Sequence, residues 1–252
     1  MGLLDGVALA PLARDLERVE ERLTGAVAVQ EGFLSDVAGH LLGAGGKRLR
    51  PTVTLCAAYA AKGIAPVHAD AVTGAAIVEL VHIGSLHHDD VIDEAETRRG
   101  VPSVNARWSN IVAILSGDFL LAQASVLAAS LGAEVAGLVG RTIGELCRGE
   151  ILELHQLYDT DRTVDAYRSS ILGKTASLLA TSARIGGMVS GVDEPTLDSL
   201  TRFGFHLGMC FQIVDDVLDL TASSEALGKP SGKDIHEGVY TLPVIHAVGA
   251  SP

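Results

Sequence analysis

Residues 103–194 contain no proline, and this stretch is rich in alanine, leucine, isoleucine and valine. Proline breaks helices, so its absence over such a length permits long helices. Between Asp70 and Val91 the apolar residues recur at steps of three and four, the period of a helix face. Strand-like alternation is hard to find. The sequence therefore predicts an all-α helical bundle, and its short Gly- and Pro-containing interruptions predict a single domain over residues 1–252.

The composition excludes several classes of protein. Of the 252 residues, 48% are hydrophobic, which does not fit an intrinsically disordered chain. The formal net charge of -12 argues against nucleic acid as the main partner, because nucleic-acid binding depends on basic clusters. The three cysteines lie far apart, so neither a disulfide framework nor a thiolate metal site is indicated.

The N-terminus and the most hydrophobic stretch bear on where the protein is located. The N-terminus does not show the pattern of a secretory signal, and the most hydrophobic stretch, Ile111 to Leu131, carries Asp118 near its centre. A lipid-facing span tolerates a charged residue poorly, so this stretch is predicted to be a buried helix. We therefore expect a cytoplasmic protein without a transmembrane segment.

Two segments share the spacing Asp-Asp-x-x-Asp in apolar surroundings: the first aspartate motif, Asp89–Asp93, and the second, Asp215–Asp219. On a helix the outer aspartates stand at i and i+4, so their like charges lie on one face. One such motif could equally be a solvated helix end, but two copies argue for a bound cation. Mg²⁺ prefers oxygen ligands and is usually held by one or two carboxylates plus substrate phosphates. The pair of motifs therefore predicts a magnesium–phosphate site.

Basic residues gather in two places in this acidic chain, the segment Gly45–Pro51 (Gly-Gly-Lys-Arg-Leu-Arg-Pro) and the segment Arg98–Gly100. The guanidinium of arginine can donate two parallel hydrogen bonds to phosphate oxygens, and a Gly-Gly turn lets the backbone approach an anion. The first segment is therefore predicted to be an anion-binding loop, which we call the anion cradle. The alternative is a helix-capping loop whose long basic side chains cover apolar surface. The glycine spacing does not fit a nucleotide P-loop.

Together, these motifs resemble the trans-isoprenyl diphosphate synthases, also called the polyprenyl synthetase family. The resemblance runs from about Gly45 to Ile245, with the motifs in family order. Besides the aspartate motifs and basic segments, it is carried by Glu79, His82, Gly117-Asp118, Lys174-Thr175, Phe211-Gln212, Gly228-Lys229-Pro230, Asp234 and Thr241-Leu242-Pro243. It implies a helical bundle with a deep central cavity, a homodimer, and head-to-tail condensation of isopentenyl diphosphate onto an allylic diphosphate.

The resemblance also implies roles for individual residues. The ligands of three Mg²⁺ ions would be Asp89, Asp93 and Asp215, with a second layer formed by Asp90, Asp216 and Asp219. The allylic diphosphate would be held by Arg98, Lys174 and Lys229. The isopentenyl diphosphate would be held by Lys47, Arg50, His82 and Arg99. The catalytic groups nearest the allylic cation would be Lys174, Thr175 and Gln212.

Two alternatives remain beside this interpretation. The pair His88-Asp89 is similar to the His-Asp pair of all-helical metal-dependent phosphohydrolases, but that reading leaves the second aspartate motif and the basic segments unexplained. The chain could also be a non-catalytic subunit of a heteromeric prenyl synthase, although both aspartate motifs are intact.

Three features of the sequence bear on how the family pattern applies to this chain. Val239 stands where many relatives carry a lysine, and the chain ends at Pro252, whereas family members usually continue for several more helices. Bulky side chains just before the first aspartate motif limit product length in this family, and here those positions hold Gly84 and Ser85. We therefore expect a product of geranylgeranyl length or longer.

Overall fold

The structure is a computed structural model that describes residues 10–63, 66–222 and 232–250. Its helices are α1 (Ala10–Val27), α2 (Gly32–Gly43), α3 (Leu49–Lys62), α4 (Ala69–Ile92), α5 (Val104–Arg107), α6 (Asn110–Ser130), α7 (Ala133–Leu154), α8 (Val164–Ile171), α9 (Ser177–Val189), α10 (Glu194–Thr221), α11 (Lys233–His236) and α12 (Leu242–Gly249). A π-helix, Leu172–Ala176, joins α8 to α9. The predicted helical architecture is confirmed.

The described chain divides into two compact units. Unit 1 comprises the described residues up to Gly140 together with Thr181–Leu200. Unit 2 comprises Arg141–Ala180 and the described residues from Thr201 onward. The single-domain organisation of residues 1–252 stays a prediction.

Helix α4 is the central helix of unit 1 and packs against α1, α3 and α6. The helix predicted between Asp70 and Val91 is confirmed almost to the residue. The sequence predicted one apolar face, whereas α4 is buried around its whole circumference from Ala71 to Val81. Neighbouring helices on several sides account for this burial. They fix the direction of α4, whose C-terminal end carries the first aspartate motif.

Helices α4 and α6 pack closely at two glycines. A Cβ on Gly84 would lie 3.1 Å from the carbonyl oxygen of Gly117, and a Cβ on Gly117 would collide with the ring of His88. Glycine permits this approach because it has no side chain. The small residue at position 84 is therefore explained by helix packing, and it does not by itself indicate open space below the first aspartate motif.

The prediction that residues 111–131 form a buried helix is only half right. One face of α6 is buried on α4, but Ile111, Leu115 and Val126 on the other face are 71%, 61% and 63% exposed. The reason is that the described residues cover α6 on one side. By length and hydropathy alone, α4 and α6 could each cross a membrane, but core helices of soluble proteins pass the same test.

A short antiparallel ladder was not predicted. It consists of β1 (Thr97–Arg98) and β2 (Val101–Pro102), with Arg98 opposite Val101. The two residues between the strands, Arg99 and Gly100, both have positive φ, at 53° and 77°. Such a two-residue turn suits the twist of a hairpin. The ladder follows the first aspartate motif directly and holds the second basic segment.

In unit 2, glycines bring two helices close to the π-helix. A Cβ on Gly208 of α10 would lie 2.5 Å from Cα of Ala176, and a Cβ on Gly149 of α7 would collide with the backbone nitrogen of Lys174. Single π-helical turns are rare and are frequently found at functional sites. Here the π-helix carries Lys174 and Thr175, two residues that the sequence predicted to be catalytic.

Candidate active site

The first aspartate motif lies at the C-terminal end of α4. Asp90 is fully buried. Its Oδ1 accepts a hydrogen bond from Nε of Arg98 at 2.7 Å and lies 2.6 Å from Nη2 of the same guanidinium. Asp89 is half-buried, and Asp93, at the C-cap, is exposed. The inner carboxylate of the motif is therefore balanced by an arginine, and the two outer carboxylates are those that the sequence predicted as metal ligands.

The second aspartate motif lies near the C-terminal end of α10. Asp216 is buried, and its two carboxylate oxygens accept hydrogen bonds from Tyr167 Oη at 2.5 Å and Gln212 Nε2 at 2.8 Å. Burial raises the pKa of Asp216, although both donors oppose the shift. Asp219 is also buried and accepts from the backbone nitrogen of Asp234 at 3.3 Å, whereas Asp215 is exposed. Here, too, the first aspartate is more exposed than the second, which is buried against internal donors.

Two of the predicted catalytic residues contact each other in unit 2. Thr175 Oγ1 donates to Oε1 of Gln212 at 2.7 Å, and Gln212 in turn donates to Asp216. The result is a hydrogen-bonded chain that connects the π-helix to the second aspartate motif and continues to Tyr167. Such a chain fixes the orientation of the Gln212 amide, because both of its ends have a defined partner.

Lys174 is held by two carboxylates that the sequence analysis missed. Its Nζ lies 2.9 Å from Glu150 Oε2 and 2.7 Å from Glu153 Oε1. Burial lowers the pKa of Lys174, but the two glutamates outweigh this effect and raise it above the usual value. The ammonium group therefore stays charged. The only signal in the sequence was the i, i+3 spacing of the two glutamates on one helix face.

Arg162 and Tyr167 form a support that no motif indicated. The buried guanidinium of Arg162 donates to Gln156 Oε1 at 2.7 Å and to the carbonyl oxygen of Tyr240 at 2.9 Å. It lies 5.6 Å from the centre of the Tyr167 ring. Burial and the hydrogen bond to Asp216 raise the pKa of Tyr167, so its hydroxyl remains a donor.

The predicted anion cradle in unit 1 is a loop in left-handed conformations. Gly45, Gly46 and Arg48 have φ values of 81°, 146° and 47°. Lys47 is exposed, and Arg50 is half-buried with an Nε that has no hydrogen-bond partner in the part of the chain that the structure describes. Burial lowers the pKa of Arg50 to about 10, with a further contribution from Arg99. Arg48 is the N-cap residue of α3, and no side-chain hydrogen bond caps that helix end.

His82 lies one turn before Ser85 on α4, close to this basic cluster. Burial lowers its pKa well below the usual value, and the positive charge of Arg50 adds to the effect. The imidazole is therefore neutral near pH 7 and can donate a hydrogen bond without adding charge. This agrees with the predicted role in holding a diphosphate.

Arg99 was predicted to bind substrate, and the structure gives it internal contacts as well. Its Nη1 donates to the carbonyl oxygens of Leu41, at 3.1 Å, and Gly45. A Cβ on Gly46 would lie 2.9 Å from Cζ of Arg99, so the guanidinium packs directly against the Gly-Gly turn. Arg99 therefore helps to hold the conformation of the cradle loop.

The remaining positions named in the sequence are Lys229 and His88, the residue before the first aspartate motif. Lys229 lies outside the described residues. His88 Nε2 lies 3.2 Å from the carbonyl oxygen of Ile114 and 3.3 Å from Asp118 Oδ1. Its ring is therefore bonded to α6, which counts against a His-Asp metal pair with Asp89.

The carboxylates of each aspartate motif are ligands of the kind that a divalent cation prefers. Among residues 10–63, 66–222 and 232–250, no three His, Cys, Asp or Glu side chains are grouped to hold a metal by themselves. Magnesium does not need such a group, because it retains water and shares substrate phosphates. The negative end of a helix dipole adds to each aspartate motif, and neither helix has a basic residue in its last turn. A cation at each motif would relieve this repulsion.

Comparison with known proteins agrees with the geometry. Residues 31–252 match the family model for polyprenyl synthetases. The chain belongs to the polyprenyl synthetase family. It is 44% identical over 242 residues to heptaprenyl diphosphate synthase component 2 of Geobacillus stearothermophilus, an alignment that covers 94% of this chain and 73% of that protein. The predicted family and the predicted prenyltransferase activity are confirmed.

Solved structures of this family share the fold. Heptaprenyl diphosphate synthase from Staphylococcus aureus aligns with a TM-score of 0.91 and 34% identity, over 96% of this chain and 76% of that one. Polyprenyl synthase from Caulobacter crescentus CB15, in complex with calcium and isoprenyl diphosphate, aligns with a TM-score of 0.88 and 33% identity, over 96% and 74% of the two chains. The predicted isoprenoid synthase type of fold is therefore confirmed.

Proposed function

We propose that this prenyltransferase condenses isopentenyl diphosphate head-to-tail onto an allylic diphosphate and makes a trans-polyprenyl diphosphate of geranylgeranyl length or longer. One observation carries the proposal. Both aspartate motifs lie near the C-terminal end of a helix, and in both the second aspartate is buried against internal donors, while the first, Asp89 or Asp215, is more exposed. This arrangement suits metal-assisted departure of a diphosphate.

The metal ligands in this proposal are Asp89, Asp93 and Asp215, with three Mg²⁺ ions per active site. Bound magnesium supplies Lewis-acid stabilisation of the departing diphosphate. Asp90 keeps Arg98 in place next to the first motif. Asp216 and Asp219 play the corresponding supporting role in the second motif, through Gln212 and the backbone of Asp234.

The basic residues divide between the two substrates. The residues assigned to isopentenyl diphosphate are Lys47, Arg50, His82 and Arg99. The residues assigned to the allylic diphosphate are Arg98, Lys174 and Lys229. Arg50 supports the first assignment, because its buried Nε has a donor to offer. Lys174 supports the second, because Glu150 and Glu153 keep it protonated.

Thr175 and Gln212 are assigned to the reacting allylic carbon. Their hydrogen bond gives the oxygen dipoles of both side chains a fixed direction, which lets them stabilise positive charge without reorganising. No nucleophilic side chain is required. The proton lost after carbon–carbon bond formation goes to the diphosphate, and exclusion of water protects the cation.

We also propose a homodimer that forms through the exposed face of α6. Ile111, Leu115 and Val126 are large apolar residues that are more than half exposed on one helix. Exposed apolar patches of this kind mark interaction sites. Sedimentation of the purified chain tests this, and Leu115→Glu is expected to shift a dimer to a monomer. An unchanged sedimentation coefficient in that variant would place the interface elsewhere.

A heteromeric enzyme is the alternative, and a relative whose name designates it component 2 of its synthase gives it some support. A cytoplasmic location agrees with three cysteines that remain free thiols. The assay below separates the one-subunit and two-subunit proposals, because it uses this chain alone.

The purified chain is incubated with Mg²⁺, labelled isopentenyl diphosphate and, in separate reactions, dimethylallyl, geranyl, farnesyl or geranylgeranyl diphosphate. The dephosphorylated products are then separated by chromatography. Elongated prenols of geranylgeranyl length or longer are expected. Diphosphate release without elongation would support the phosphohydrolase, and a lack of turnover would indicate a partner subunit. Asp165→Ala, an exposed aspartate on α8, is the matched control for variants of the motif aspartates.

A further inference from the structure

Glu79 is a buried carboxylate in the middle of α4 that is 2% exposed. Its Oε1 lies 2.9 Å from Arg48 Nη1 and 3.6 Å from Arg99 Nη2. A carboxylate buried this deeply is costly unless cations compensate it. One oxygen of Glu79 therefore joins two arginines that come from different parts of unit 1.

Arg48 uses every donor of its guanidinium inside the protein. Nε and Nη2 donate to Glu20, with the Nη2 bond at 2.9 Å, and Nη1 donates to Glu79. The second hydrogens of Nη2 and Nη1 reach the carbonyl oxygens of Leu42 at 3.1 Å and Gly45 at 3.3 Å. Arg48 therefore has no donor left for a substrate, although it lies in the middle of the anion cradle.

The two arginines converge on one carbonyl group. Arg99 Nη1 donates to the same Gly45 oxygen that accepts from Arg48. Gly45 opens the loop that presents Lys47, and α3, which starts at Leu49, presents Arg50. The position of the cradle thus depends on two guanidinium groups that would repel each other without the negative charge of Glu79 between them.

We propose that Glu79 is a positioning residue for isopentenyl diphosphate. It holds Arg48 and Arg99 on the Gly45 carbonyl, and in this way it fixes Lys47 and Arg50 at the spacing that a diphosphate requires. It does not touch the substrate. The inference rests on the proposed function, because it assumes that the cradle binds isopentenyl diphosphate.

The test compares steady-state kinetics of Glu79→Gln with those of the wild type, varying each substrate in turn. The KM for isopentenyl diphosphate is expected to rise about tenfold, the size expected when a charged hydrogen bond is lost. The kcat and the KM for the allylic diphosphate are expected to change less than about twofold. Glu79→Asp, which keeps the charge, is expected to recover part of the affinity.

Glu20→Gln is the matched control, because Glu20 pairs with Arg48 but not with Arg99. Its KM for isopentenyl diphosphate is expected to stay within about twofold of the wild-type value, since Glu79 still joins the two arginines. The double variant Glu79→Gln/Arg99→Gln is expected to lose no more affinity than Arg99→Gln alone. If the effects multiply instead, Glu79 does not act through Arg99 and the inference is overturned.

Two other results would also overturn it. One is an unchanged KM for isopentenyl diphosphate in Glu79→Gln. The other is an equal loss for both substrates that follows a lowered melting temperature, which would show a role in stability alone. If Glu79→Gln does not fold, the KM values of Glu79→Asp decide. Diphosphate release without elongation by the wild-type chain would remove the proposed function itself, so the two failures are distinguishable in one assay.

Discussion

The first and second aspartate motifs share one sequence pattern, but they balance their inner carboxylate by different means. Asp90 is paired with the guanidinium of Arg98, which is a full positive charge. Asp216 accepts from Tyr167 and Gln212, which are neutral donors. The same spacing therefore produces an ion pair in one unit and a hydrogen-bonded network in the other. Spacing alone indicates which carboxylates share a helix face, and it does not indicate what compensates them.

The charged residues around the two motifs also differ. The cradle in unit 1 brings three arginines, Arg48, Arg50 and Arg99, around the single buried charge of Glu79. In unit 2 the opposite holds, because the one ammonium of Lys174 is paired with two glutamates. The cradle in unit 1 therefore carries an excess of positive charge, which attracts an anion. The positive charge of Lys174 is instead balanced by carboxylates, which hold the side chain in place before a substrate binds.

The largest expected effect concerns the outer aspartates, where the two motifs are predicted to behave alike. Asp89→Ala and Asp215→Ala are each expected to lower kcat/KM by about three orders of magnitude, because a lost metal contact removes several kcal/mol of charge stabilisation. Circular dichroism is expected to show an intact helical fold. Asp165→Ala serves as the control, and near-wild-type turnover in either motif variant would contradict the metal assignment.

The inner aspartates are expected to separate the two motifs. Asp90→Asn leaves Arg98, which is 29% exposed, without its buried partner, and is expected to cost about 3 kcal/mol of unfolding free energy. In Asp216→Asn the asparagine keeps one acceptor oxygen for the neutral donors Tyr167 and Gln212. This variant is therefore expected to lose only about 1 kcal/mol of unfolding free energy. Urea unfolding at neutral pH measures both. Equal losses would mean that the difference in charge compensation has no energetic consequence.

Close helix contacts give a third comparison. A Cβ on Gly208 would lie 2.5 Å from the backbone Cα of Ala176, whereas a Cβ on Gly84 has its nearest neighbour at 3.1 Å. Gly208→Ala is therefore expected to cost about 2 kcal/mol, and Gly84→Ala less than about 1 kcal/mol, by the scale of overpacking effects. Thermal unfolding of both variants measures the difference, and the reverse order would show that α4 and α6 are the more rigid pair.

A loss of about 1 kcal/mol, among the smallest of these effects, is expected for Tyr167→Phe, which removes one donor to Asp216. The pKa of Asp216 is already raised by burial, and losing the hydroxyl raises it further. A raised carboxyl pKa means that the folded chain holds the proton longer than the unfolded chain. Stability then falls as pH rises above the usual aspartate pKa.

The pH dependence of Tyr167→Phe follows from this sign. The variant is expected to lose most stability at neutral pH, where Asp216 is ionised, and least at acidic pH, where Asp216 is protonated in both proteins. Urea unfolding at several pH values measures the difference. A loss that does not depend on pH would mean that the hydroxyl does not act through the Asp216 carboxylate.

Much of the fold could be predicted from the sequence, because helices depend on local periodicity. The position of α4 and the placement of both aspartate motifs on helices followed from spacing alone. The exposed face of α6 could not be predicted, because its apolar residues do not reveal which of them find a neighbour. The hairpin at Arg98–Gly100 was missed because two-residue strands are too short to show alternation.

The sequence by itself determined the chemistry of the site: two sets of carboxylates at i and i+4, basic segments with glycine turns, and Thr175 next to Lys174. These depend on residue type and helix geometry, which are local properties. Only the tertiary structure decided which partner each charge has. Tyr167 lies 49 positions from Asp216, and Arg48 lies 31 from Glu79. Contacts over such separations arise from helix packing, which no short stretch of sequence encodes.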